Sequence, residues 1–331
     1  MYKRKLGGQG LEVSAMGLGC MGMSFAYGQP DDEASVQVLR RALDLGVNFW
    51  DTAELYGPFT NEELLGRLLK EVPRSRVTLA TKFAWRFGPH GEQVALDSSP
   101  AQIRRSVEGS LKRLGTDYID LYYQHRLDPA TPIEETVGAL ADLVGEGKVR
   151  FIGLSEVGPG TVRRAHAVHP LSAVQSEYSL WERGVEAKLL PTLRELGIGF
   201  VAYSPVGRGA LSGKIRSVED LDPGDWRRKS PRFQADNLRH NLQFVSVLSG
   251  IAAAHDVTPA QLALAWVLRR GHDIVPIPGT KHLRHLEENA QAPILKLSEN
   301  VWAQLDLALG SFEVAGERYP KEALQYLDSS E

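Results

Sequence analysis

Short apolar segments alternate with longer amphipathic segments along most of the chain. The apolar segment VNFWDTA is followed by TNEELLGRLLK, and IDLYYQH is followed by TPIEETVGALADLVGEG. In the second of these pairs Ile133, Val137, Leu140 and Val144 recur at the spacing of one helix face. The pattern therefore predicts β-strands that alternate with amphipathic α-helices.

Helix boundary signals support this alternation. Ser99 and Pro100 predict an N-cap followed by a first helical turn, and Gly115 predicts the end of the same helix. Thr60 and Glu63 have the spacing of a capping box ahead of a leucine-rich stripe. These signals place helix starts shortly after the predicted strands.

The alternation gives eight strand-then-helix units, of which the last pairs DIVPIPG with KHLRHLEENA. Right-handed crossovers between apolar strands favour a closed barrel over an open doubly wound sheet. We therefore predict an α/β protein with a (β/α)8 TIM-barrel fold, formed as a single domain by residues 1–331.

Three additions to the barrel are expected. The segment KRKLGGQGLEV predicts an N-terminal β-hairpin over the barrel bottom. Residues 206–237 predict a long irregular loop between the seventh strand and its helix. The segment SENVWAQLDLALG predicts an extra C-terminal helix within a tail that begins after about residue 290.

The composition is that of an ordinary globular protein, with 43% hydrophobic and 24% charged residues. A net charge of -3 disfavours a nucleic-acid-binding surface, and the basic clusters at residues 3–5 and 227–229 are expected to be solvated. No apolar run reaches the length of a membrane span, no signal peptide is recognisable, and the single cysteine excludes an intrachain disulfide. We therefore expect a cytoplasmic protein that binds neither nucleic acid nor membrane.

The segment GLGCMG, residues 17–22, has the glycine spacing of a Rossmann dinucleotide-binding motif. In that fold the last glycine opens a helix, and an acidic residue about 20 positions later binds the ribose. Here the turn-forming segment YGQP follows, so no helix can begin before about Asp31. We therefore interpret the segment as a strand end whose backbone lies close to a bound molecule.

Ionisable side chains stand at neighbouring strand ends, where barrels of this class carry their chemistry. The second predicted strand ends at Asp51 with Tyr56 just beyond it, the third ends at Lys82, and the fourth ends at His125. Each also has an ordinary structural interpretation, as a turn cap, a packed ring, a surface charge or a core histidine. Their occurrence at adjacent strand ends favours convergence on one mouth of the barrel.

These four side chains suit the reduction of a carbonyl group. Hydride transfer to a carbonyl carbon leaves an alkoxide, which Tyr56 can protonate if its pKa falls from about 10 toward the working pH. The charge of Lys82 is expected to lower that pKa, and Asp51 is expected to hold Lys82 in place. His125 is expected to donate a hydrogen bond to the carbonyl oxygen.

A metal-dependent barrel hydrolase is an alternative that would use His125, Asp51 and Glu54. No second histidine lies at a metal-ligand spacing near these residues. We therefore expect no metal site.

Several segments match the motifs of a known superfamily: DTAELYG, ATKF and DLYYQHR at the strand ends, with GLGCMGMS, GLSE, QSEYSLWER, GFVAYSPVGRGALSGK and IPGT elsewhere. Together they resemble the aldo-keto reductases from about residue 13 to about residue 289, and they are most similar to the bacterial and fungal reductases of about this length. The resemblance implies that Asp51, Tyr56, Lys82 and His125 are the catalytic tetrad. It also implies a nicotinamide cofactor extended across the barrel mouth, with GLGCMG as the first barrel strand near the nicotinamide.

The resemblance further implies which residues bind the cofactor. Tyr203 is expected to stack on one face of the nicotinamide, while Ser155 and Gln175 hydrogen-bond to its carboxamide. The glycines of SPVGRGALSGK permit close backbone approach, which suits closure over a pyrophosphate. The complete predicted set is Met21, Gly22, Asp51, Ser155, Gln175, Tyr203, Ser204, Pro205, Val206, Gly207, Arg208, Gly209, Lys214, Ile277, Gly279, Thr280, Lys281, His285, Glu288 and Asn289.

NADPH is the expected form of the cofactor, NADP(H). The segment GTKHLRHLEEN is predicted to begin a helix whose free N–H groups attract the 2′-phosphate, with Thr280 and Lys281 as its contacts. His285 stands where relatives often have an arginine, and a neutral histidine contributes less charge. The preference for NADPH over NADH therefore rests chiefly on Lys281, with Arg284 as a substitute charge.

The substrate pocket is expected to be bordered by Met23, Tyr27, Trp85 and Arg126, together with the segments RFGPHGEQVALDSS and LDPGDWRRKSPRF. Aromatic walls favour a bulky apolar aldehyde or ketone, such as a secondary metabolite or xenobiotic. The alternative from another class is an NADP(H)-binding regulatory subunit, since relatives attached to potassium channels share the barrel; the lack of an N-terminal extension disfavours it. Monomer and homo-oligomer both stay open, because relatives occur as either.

Overall fold

Strands and helices alternate along the computed structural model, which describes residues 1–328. The strands are β1 (Lys3–Leu6), β2 (Leu11–Ser14), β3 (Leu18–Gly19), β4 (Phe49–Asp51), β5 (Thr78–Phe83), β6 (Trp85–Phe87), β7 (Gln93–Leu96), β8 (Ile119–Gln124), β9 (Val149–Ser155), β10 (Ala173–Glu177), β11 (Gly199–Tyr203) and β12 (Ile274–Pro276). The helices are α1 (Asp32–Asp44), α2 (Thr60–Leu69), α3 (Pro100–Leu114), α4 (Ile133–Gly145), α5 (Pro159–Val168), α6 (Leu189–Leu196), α7 (Ala235–Ala253), α8 (Pro259–Arg269), α9 (Leu283–Asn289), α10 (Glu299–Gly310) and α11 (Lys321–Leu324).

An eight-stranded sheet has the order β3-β4-β5-β8-β9-β10-β11-β12, and its neighbouring strands are parallel. Its two edges meet, because Gly17 N donates to Pro276 O at 2.9 Å and Gly19 N donates to Pro278 O at 3.2 Å. A Cβ at Gly19 would lie 2.8 Å from the carbonyl oxygen of Ile277, so the closure requires glycine there. The predicted (β/α)8 barrel is confirmed, and GLGCMG contributes its first strand.

The predicted N-terminal hairpin is present as the antiparallel pair β1–β2. The Arg4 guanidinium donates to the carbonyl oxygens of Leu268, Gly271 and Ile274, which lie between α8 and the start of β12. Because these carbonyls stand at the N-terminal end of a barrel strand, the hairpin covers the bottom of the barrel. The opposite end, where the strands finish, is left for ligands.

Side chains fill the barrel interior. Leu6 and Leu11 of the hairpin pack in one buried cluster with Phe49, Tyr123 and Val201 from three different strands. The barrel is therefore a packed core that supports the strand ends, and it contains no channel along its axis.

The helix-start signals are confirmed in one place and wrong in another. Ser99 Oγ accepts a hydrogen bond from Gln102 N, Pro100 opens α3, and Gly115 ends it with a φ of 64°. Thr60, by contrast, makes no capping box: Phe59 precedes α2 with a φ of 70°, and the Thr60 hydroxyl donates to Gly57 O at 3.2 Å. The turn from Tyr56 to α2 is therefore tighter than the sequence signal suggested.

Some elements were not predicted from the sequence. The hairpin β6–β7 follows β5 at the barrel mouth, and the 19-residue helix α7 follows the long loop. The residue before α7 is Gln234, whose side chain makes no capping bond, so no start signal marked this helix. The predicted extra C-terminal helix is present as α10. No helix within residues 1–328 is both long enough and apolar enough to cross a lipid bilayer.

Candidate active site

A buried ion pair stands at the ends of two neighbouring strands. Asp51 is the last residue of β4, and Lys82 lies in β5 with none of its surface exposed. Lys82 Nζ pairs with Asp51 Oδ1 and also donates to Thr52 O at 2.8 Å and to the Tyr56 hydroxyl at 3.2 Å. Gln175 Nε2 donates to the other Asp51 oxygen at 2.7 Å. The lysine is thus fixed by its neighbours, with one donor directed at Tyr56.

The protonation of Lys82 follows from its neighbours. Burial favours the neutral amine, but the Asp51 carboxylate and the Tyr56 hydroxyl outweigh that effect and raise the pKa of Lys82 above its usual value. The side chain therefore remains an ammonium at neutral pH.

Tyr56 retains its proton more firmly than the sequence analysis assumed. Burial raises the pKa of its hydroxyl, and the opposing charge of Lys82 offsets this only in part. The expectation that Lys82 brings the pKa of Tyr56 below its ordinary value was therefore wrong, because desolvation was not considered. A protonated hydroxyl next to an ammonium is nevertheless suited to giving a proton to a developing alkoxide.

His125 follows β8 and faces Tyr56, with the two ring centroids 5.8 Å apart and the rings nearly perpendicular. Burial, with the nearby charges of Arg126 and Lys82, holds the pKa of His125 well below its usual range. Its Nδ1 is buried and has no hydrogen-bond partner among residues 1–328. A neutral imidazole with one N–H can donate a hydrogen bond without carrying charge.

A cavity of about 790 Å³ opens at the strand ends and extends to α9. Asp51, Tyr56 and His125 line it, whereas Lys82 lies behind them. Most residues predicted to bind the cofactor also line it: Met21, Gly22, Ser155, Gln175, Tyr203, Ser204, Pro205, Val206, Arg208, Gly209, Lys214, Ile277, Gly279, Thr280, Lys281, His285, Glu288 and Asn289. Tyr27, Trp85 and Arg126, predicted for the substrate pocket, are in the same lining.

One residue predicted to bind the cofactor, Gly207, and one predicted to border the substrate pocket, Met23, do not line this cavity. A Cβ at Gly207 would lie 2.5 Å from the Trp181 ring, so this glycine serves close packing. Met23 is 1% exposed and packs in a core cluster with Trp50. It ends the 3-10 turn Met21–Met23, in which residues two apart point in different directions, so Met21 reaches the cavity and Met23 does not.

The end of the cavity near α9 is rich in cations. Lys281 Nζ donates to the backbone oxygens of Tyr27 at 3.0 Å and Gln29 at 2.6 Å. Lys214 Nζ lies 2.6 Å from His285 Nε2, and burial together with the Lys214 charge lowers the pKa of His285. Neither lysine forms an ion pair within residues 1–328. Both charges are therefore available to an anionic ligand.

The predicted helix start near Thr280 lies slightly later in the structure. Helix α9 begins at Leu283 and has seven residues, and the Thr280 hydroxyl accepts a hydrogen bond from His282 N at 3.0 Å. Arg284 pairs with Glu288 at 2.7 Å, which neutralises the charge that was expected to substitute for His285.

The long loop after β11 crosses the mouth and contacts the segment after β3. Trp226 N donates to Ala26 O at 2.9 Å, and the Arg227 guanidinium lies 4.5 Å from the centroid of the Tyr27 ring. Arg227 also pairs with Asp225 at 2.6 Å and lines the cavity. The expectation that Arg227 is a solvated surface charge was therefore wrong.

Arg208 of this loop is already neutralised by the protein. Its guanidinium pairs with Glu177 at 2.8 Å and lies 4.7 Å from the Trp226 ring and 4.5 Å from the Tyr319 ring. The sequence analysis assigned it to a pyrophosphate, but the ion pair leaves little net charge for that purpose.

A C-terminal segment, residues 313–328, forms one wall of the cavity, which sequence reasoning missed. Arg318 forms two hydrogen bonds to Glu156, at 2.7 and 3.2 Å, and the Tyr319 hydroxyl lies 2.8 Å from that of Tyr203. The Tyr326 and Trp85 rings meet edge to face, with their centroids 5.1 Å apart. After α10 the apolar residues lose their periodicity, so only the cluster of tyrosines and charges in ERYPKEALQY marked this segment.

The remaining candidates are structural. Glu54, weighed above as a metal ligand, is 2% exposed, and its Oε1 accepts a hydrogen bond from Ala84 N. Within residues 1–328 no group of three His, Cys, Asp or Glu side chains is arranged to hold a metal ion. The single cysteine, Cys20, is fully buried behind Asp51, and burial raises the pKa of its thiol strongly.

Known proteins share this architecture and these motifs. The model of the Aldo/keto reductase family matches residues 15–309. The protein named probable aldo-keto reductase 1 of Glycine max is 49% identical over 318 residues, which is 95% of this chain and 91% of that protein.

Solved structures agree. A glycerol dehydrogenase of Gluconobacter oxydans superposes with a TM-score of 0.85 at 30% identity, over 93% of this chain and 95% of that one. A thermostable aldo-keto reductase solved with the inhibitor epalrestat gives a TM-score of 0.74 at 32% identity, over 93% and 100% of the two chains. Members of this family are oxidoreductases that generally reduce carbonyl compounds with a nicotinamide cofactor. The chain belongs to the aldo/keto reductase family.

Proposed function

We propose that this protein is an NADPH-dependent reductase of aldehydes or ketones in which Tyr56 is the general acid. The observation that carries the proposal is the buried chain from Asp51 through Lys82 to the Tyr56 hydroxyl, which ends at the cavity beside His125. A tyrosine hydroxyl held in this way can donate its proton to a carbonyl oxygen in the cavity. The reduction of a carbonyl requires one such proton from the protein.

The cavity suits an extended dinucleotide. Its volume of about 790 Å³ lies in the range of pockets that enclose large ligands. Near the tetrad, Gln175 uses its amide nitrogen on Asp51, which leaves its Oε1 to accept from a carboxamide, and the Ser155 hydroxyl lies beside it. At the other end Lys214 and Lys281 offer unpaired positive charge. The residues present therefore fit a nicotinamide at the strand ends and phosphates near α9.

Each catalytic side chain has a distinct task in this proposal. When bound, the reduced nicotinamide would supply the hydride to the carbonyl carbon. Tyr56 transfers its hydroxyl proton to the carbonyl oxygen, which completes the alcohol, and Lys82 at 3.2 Å stabilises the tyrosinate left behind. His125, neutral at working pH, donates a hydrogen bond that orients the carbonyl oxygen.

The preference for NADPH is attributed to Lys281. Its ammonium is held only by backbone oxygens, so a 2′-phosphate would be its first anionic partner within residues 1–328. We expect a higher kcat/KM with NADPH than with NADH, and Lys281→Met should reduce that ratio by about tenfold or more. Lys3→Met, which removes an exposed charge at the barrel bottom, serves as the control. Equal or better turnover of NADH by the wild type would contradict the assignment.

The general acid is tested by comparing the wild type with Tyr56→Phe. We expect NADPH oxidation, followed by absorbance with a panel of aldehydes and ketones, to fall by about 100-fold or more in the variant. The dissociation constant of NADPH, measured by protein fluorescence, should stay close to that of the wild type. Tight NADPH binding without turnover of any panel member by the wild type would instead indicate a cofactor-binding regulatory protein.

A further inference from the structure

Arg126 is a half-buried cation in the cavity lining, and its hydrogen bonds all go to uncharged acceptors. Its Nη1 donates to His125 O at 2.6 Å and to Ser155 Oγ at 3.3 Å, and its Nη2 donates to the Tyr319 hydroxyl at 3.4 Å. No carboxylate within residues 1–328 forms an ion pair with it. A guanidinium partly withdrawn from water, with no carboxylate in direct contact, is incompletely compensated, and a bound carboxylate would relieve that cost.

Three other arginines that are buried or partly buried each form an ion pair with a glutamate. Arg208 pairs with Glu177, Arg113 pairs with Glu62, and Arg318 pairs with Glu156. Arg4 also lacks an ion pair within residues 1–328, but three carbonyl oxygens at the bottom of the barrel accept from its guanidinium. Unlike Arg4, Arg126 lies in the lining of the cavity.

The carboxylate of Glu156 interacts electrostatically with Arg126, but it is already engaged by other donors. Its oxygens accept from Arg318 at 2.7 and 3.2 Å, from the Tyr203 hydroxyl at 2.8 Å and from Glu177 N at 3.0 Å. Four donors on one carboxylate leave little capacity for Arg126. The positive charge of Arg126 is thus exposed to whatever occupies the cavity.

The position of Arg126 indicates which part of a ligand it meets. It directly follows His125, and its charge contributes to the depressed pKa of His125 and opposes the raised pKa of Tyr56. The two groups that would hold the reacting carbonyl oxygen are therefore its immediate electrostatic neighbours. Lys214 and Lys281, which suit phosphates, lie at the other end of the cavity.

We propose that Arg126 binds a carboxylate carried next to the reactive carbonyl, so that 2-oxo acids and related carboxylated carbonyl compounds are preferred substrates. The inference rests on the proposed reductase function and specifies its substrate class. The planar fork of the guanidinium matches a carboxylate in a bidentate geometry. The apolar walls formed by Phe25, Leu55 and Trp85 would receive the remainder of the substrate.

The test compares phenylglyoxylate with its methyl ester, which has the same ketone but no charge. We expect the wild type to favour the acid in kcat/KM by about tenfold or more, and Arg126→Gln to lose that preference. The intrinsic reactivities of the two ketones cancel when the acid-to-ester ratio is compared between variants. Arg86→Gln is the matched control, because Arg86 is an exposed arginine of the β6–β7 hairpin at the same mouth.

The outcomes separate recognition of the substrate from positioning of the cofactor. A fall in kcat/KM that is confined to the acid and arises mainly from a raised KM supports the proposal. An equal fall in kcat/KM for acid and ester, with a raised KM for NADPH, would show that Arg126 acts by holding Ser155. That result would overturn the proposal. An acid-to-ester ratio near one in the wild type, or an equal change in Arg86→Gln, would also overturn it while the reductase function stands.

A second measurement decides the inference if no carbonyl is reduced and the proposed function fails. Phenylglyoxylate binding to the NADP⁺-loaded protein is then measured by calorimetry at two salt concentrations. Salt-sensitive binding that is about tenfold weaker in Arg126→Gln supports the carboxylate site. Binding of equal strength in the wild type and the variant overturns it.

Discussion

Two walls of the cavity are built in different ways. The wall at the strand ends holds Asp51 and Lys82 through the paired registers of β4 with β5 and of β5 with β8. The opposite wall, residues 313–328, is attached chiefly through side chains: Arg318 on Glu156, Tyr319 beside Tyr203, and the Asp328 carboxylate on Gly158 N. Side chains of helix α7 and of the loop before it also hold residues 315 and 316, and one backbone hydrogen bond runs from Asp328 N to Glu156 O.

The two walls therefore differ in the free energy that is needed to open them. A sheet register is fixed by many backbone hydrogen bonds, so it opens only when the barrel unfolds. A segment held by a few side-chain contacts can detach at a much smaller free-energy cost. The groups proposed to deliver the proton thus stand on the first wall, which we call the rigid wall. The proposed boundary of the substrate pocket stands on residues 313–328, which we call the detachable wall.

The largest effect is expected from Lys82→Met on the rigid wall. Removal of the ammonium leaves Asp51 buried and unpaired, which should reduce the free energy of unfolding by about 3–5 kcal/mol and turnover by about 100-fold or more. Denaturant unfolding and NADPH oxidation measure the two losses. The double variant Asp51→Asn with Lys82→Met should regain much of the stability but none of the activity. If Lys82→Met alone is as stable as the wild type, the ion pair is not buried as described.

A smaller and more local effect is expected from Arg318→Gln. Loss of the contact with Glu156 should free residues 313–328 and raise the KM of the carbonyl substrate by about tenfold. Amide hydrogen exchange should increase in this segment, while β4 and β5 remain protected. If the strands lose protection to the same extent as the segment, the two walls are coupled and the comparison fails.

The last contrast concerns stability and not turnover: it is a pH dependence of stability that distinguishes Glu54 from Glu156. Burial, with repulsion from Glu62, raises the pKa of Glu54 from 4.5 to about 8, whereas the arginines Arg318 and Arg126 outweigh burial and lower the pKa of Glu156. The folded state therefore binds a proton at Glu54 that the unfolded state releases, so stability is lost as the pH rises from 4.5 to about 8.

Glu54→Gln should remove this loss. We expect its gain in melting temperature over the wild type to grow between about pH 5 and the Glu54 pKa and then level off. Glu156→Gln is the matched control with the opposite sign: its folded-state pKa is lowered, so the wild type should be the more stable at neutral pH and the difference should shrink in acid. A constant gain for Glu54→Gln at all pH values would mean that Glu54 is ionised in the folded protein.

The sequence predicted the rigid wall well and the detachable wall poorly, for a physical reason. Asp51, Lys82 and His125 stand at the ends of apolar strands whose period and order can be recognised in the sequence, and a parallel barrel brings those ends together. Arg318 and Tyr319 follow no periodic element, and their partners lie more than a hundred positions away in the chain. Nothing local in the sequence specifies such contacts.

Smaller errors arose where one local rule competed with another. Met23 was predicted to border the substrate pocket, but the 3-10 turn directs its side chain into the core. Thr60 had the spacing of a capping box, but its hydroxyl serves the Gly57 turn. The pKa of Tyr56 was predicted from the charges of Lys82 and Asp51, although burial is the larger effect.

The buried Cys20 has a practical consequence for spectroscopy. The protein has one cysteine, its side chain is inaccessible, and its raised pKa keeps it in the unreactive thiol form. A cysteine introduced by Glu322→Cys, at an exposed position of α11, would therefore react selectively with a maleimide fluorophore. Such a label would report, in real time and in the otherwise wild-type enzyme, whether the detachable wall moves as a substrate enters and a product leaves.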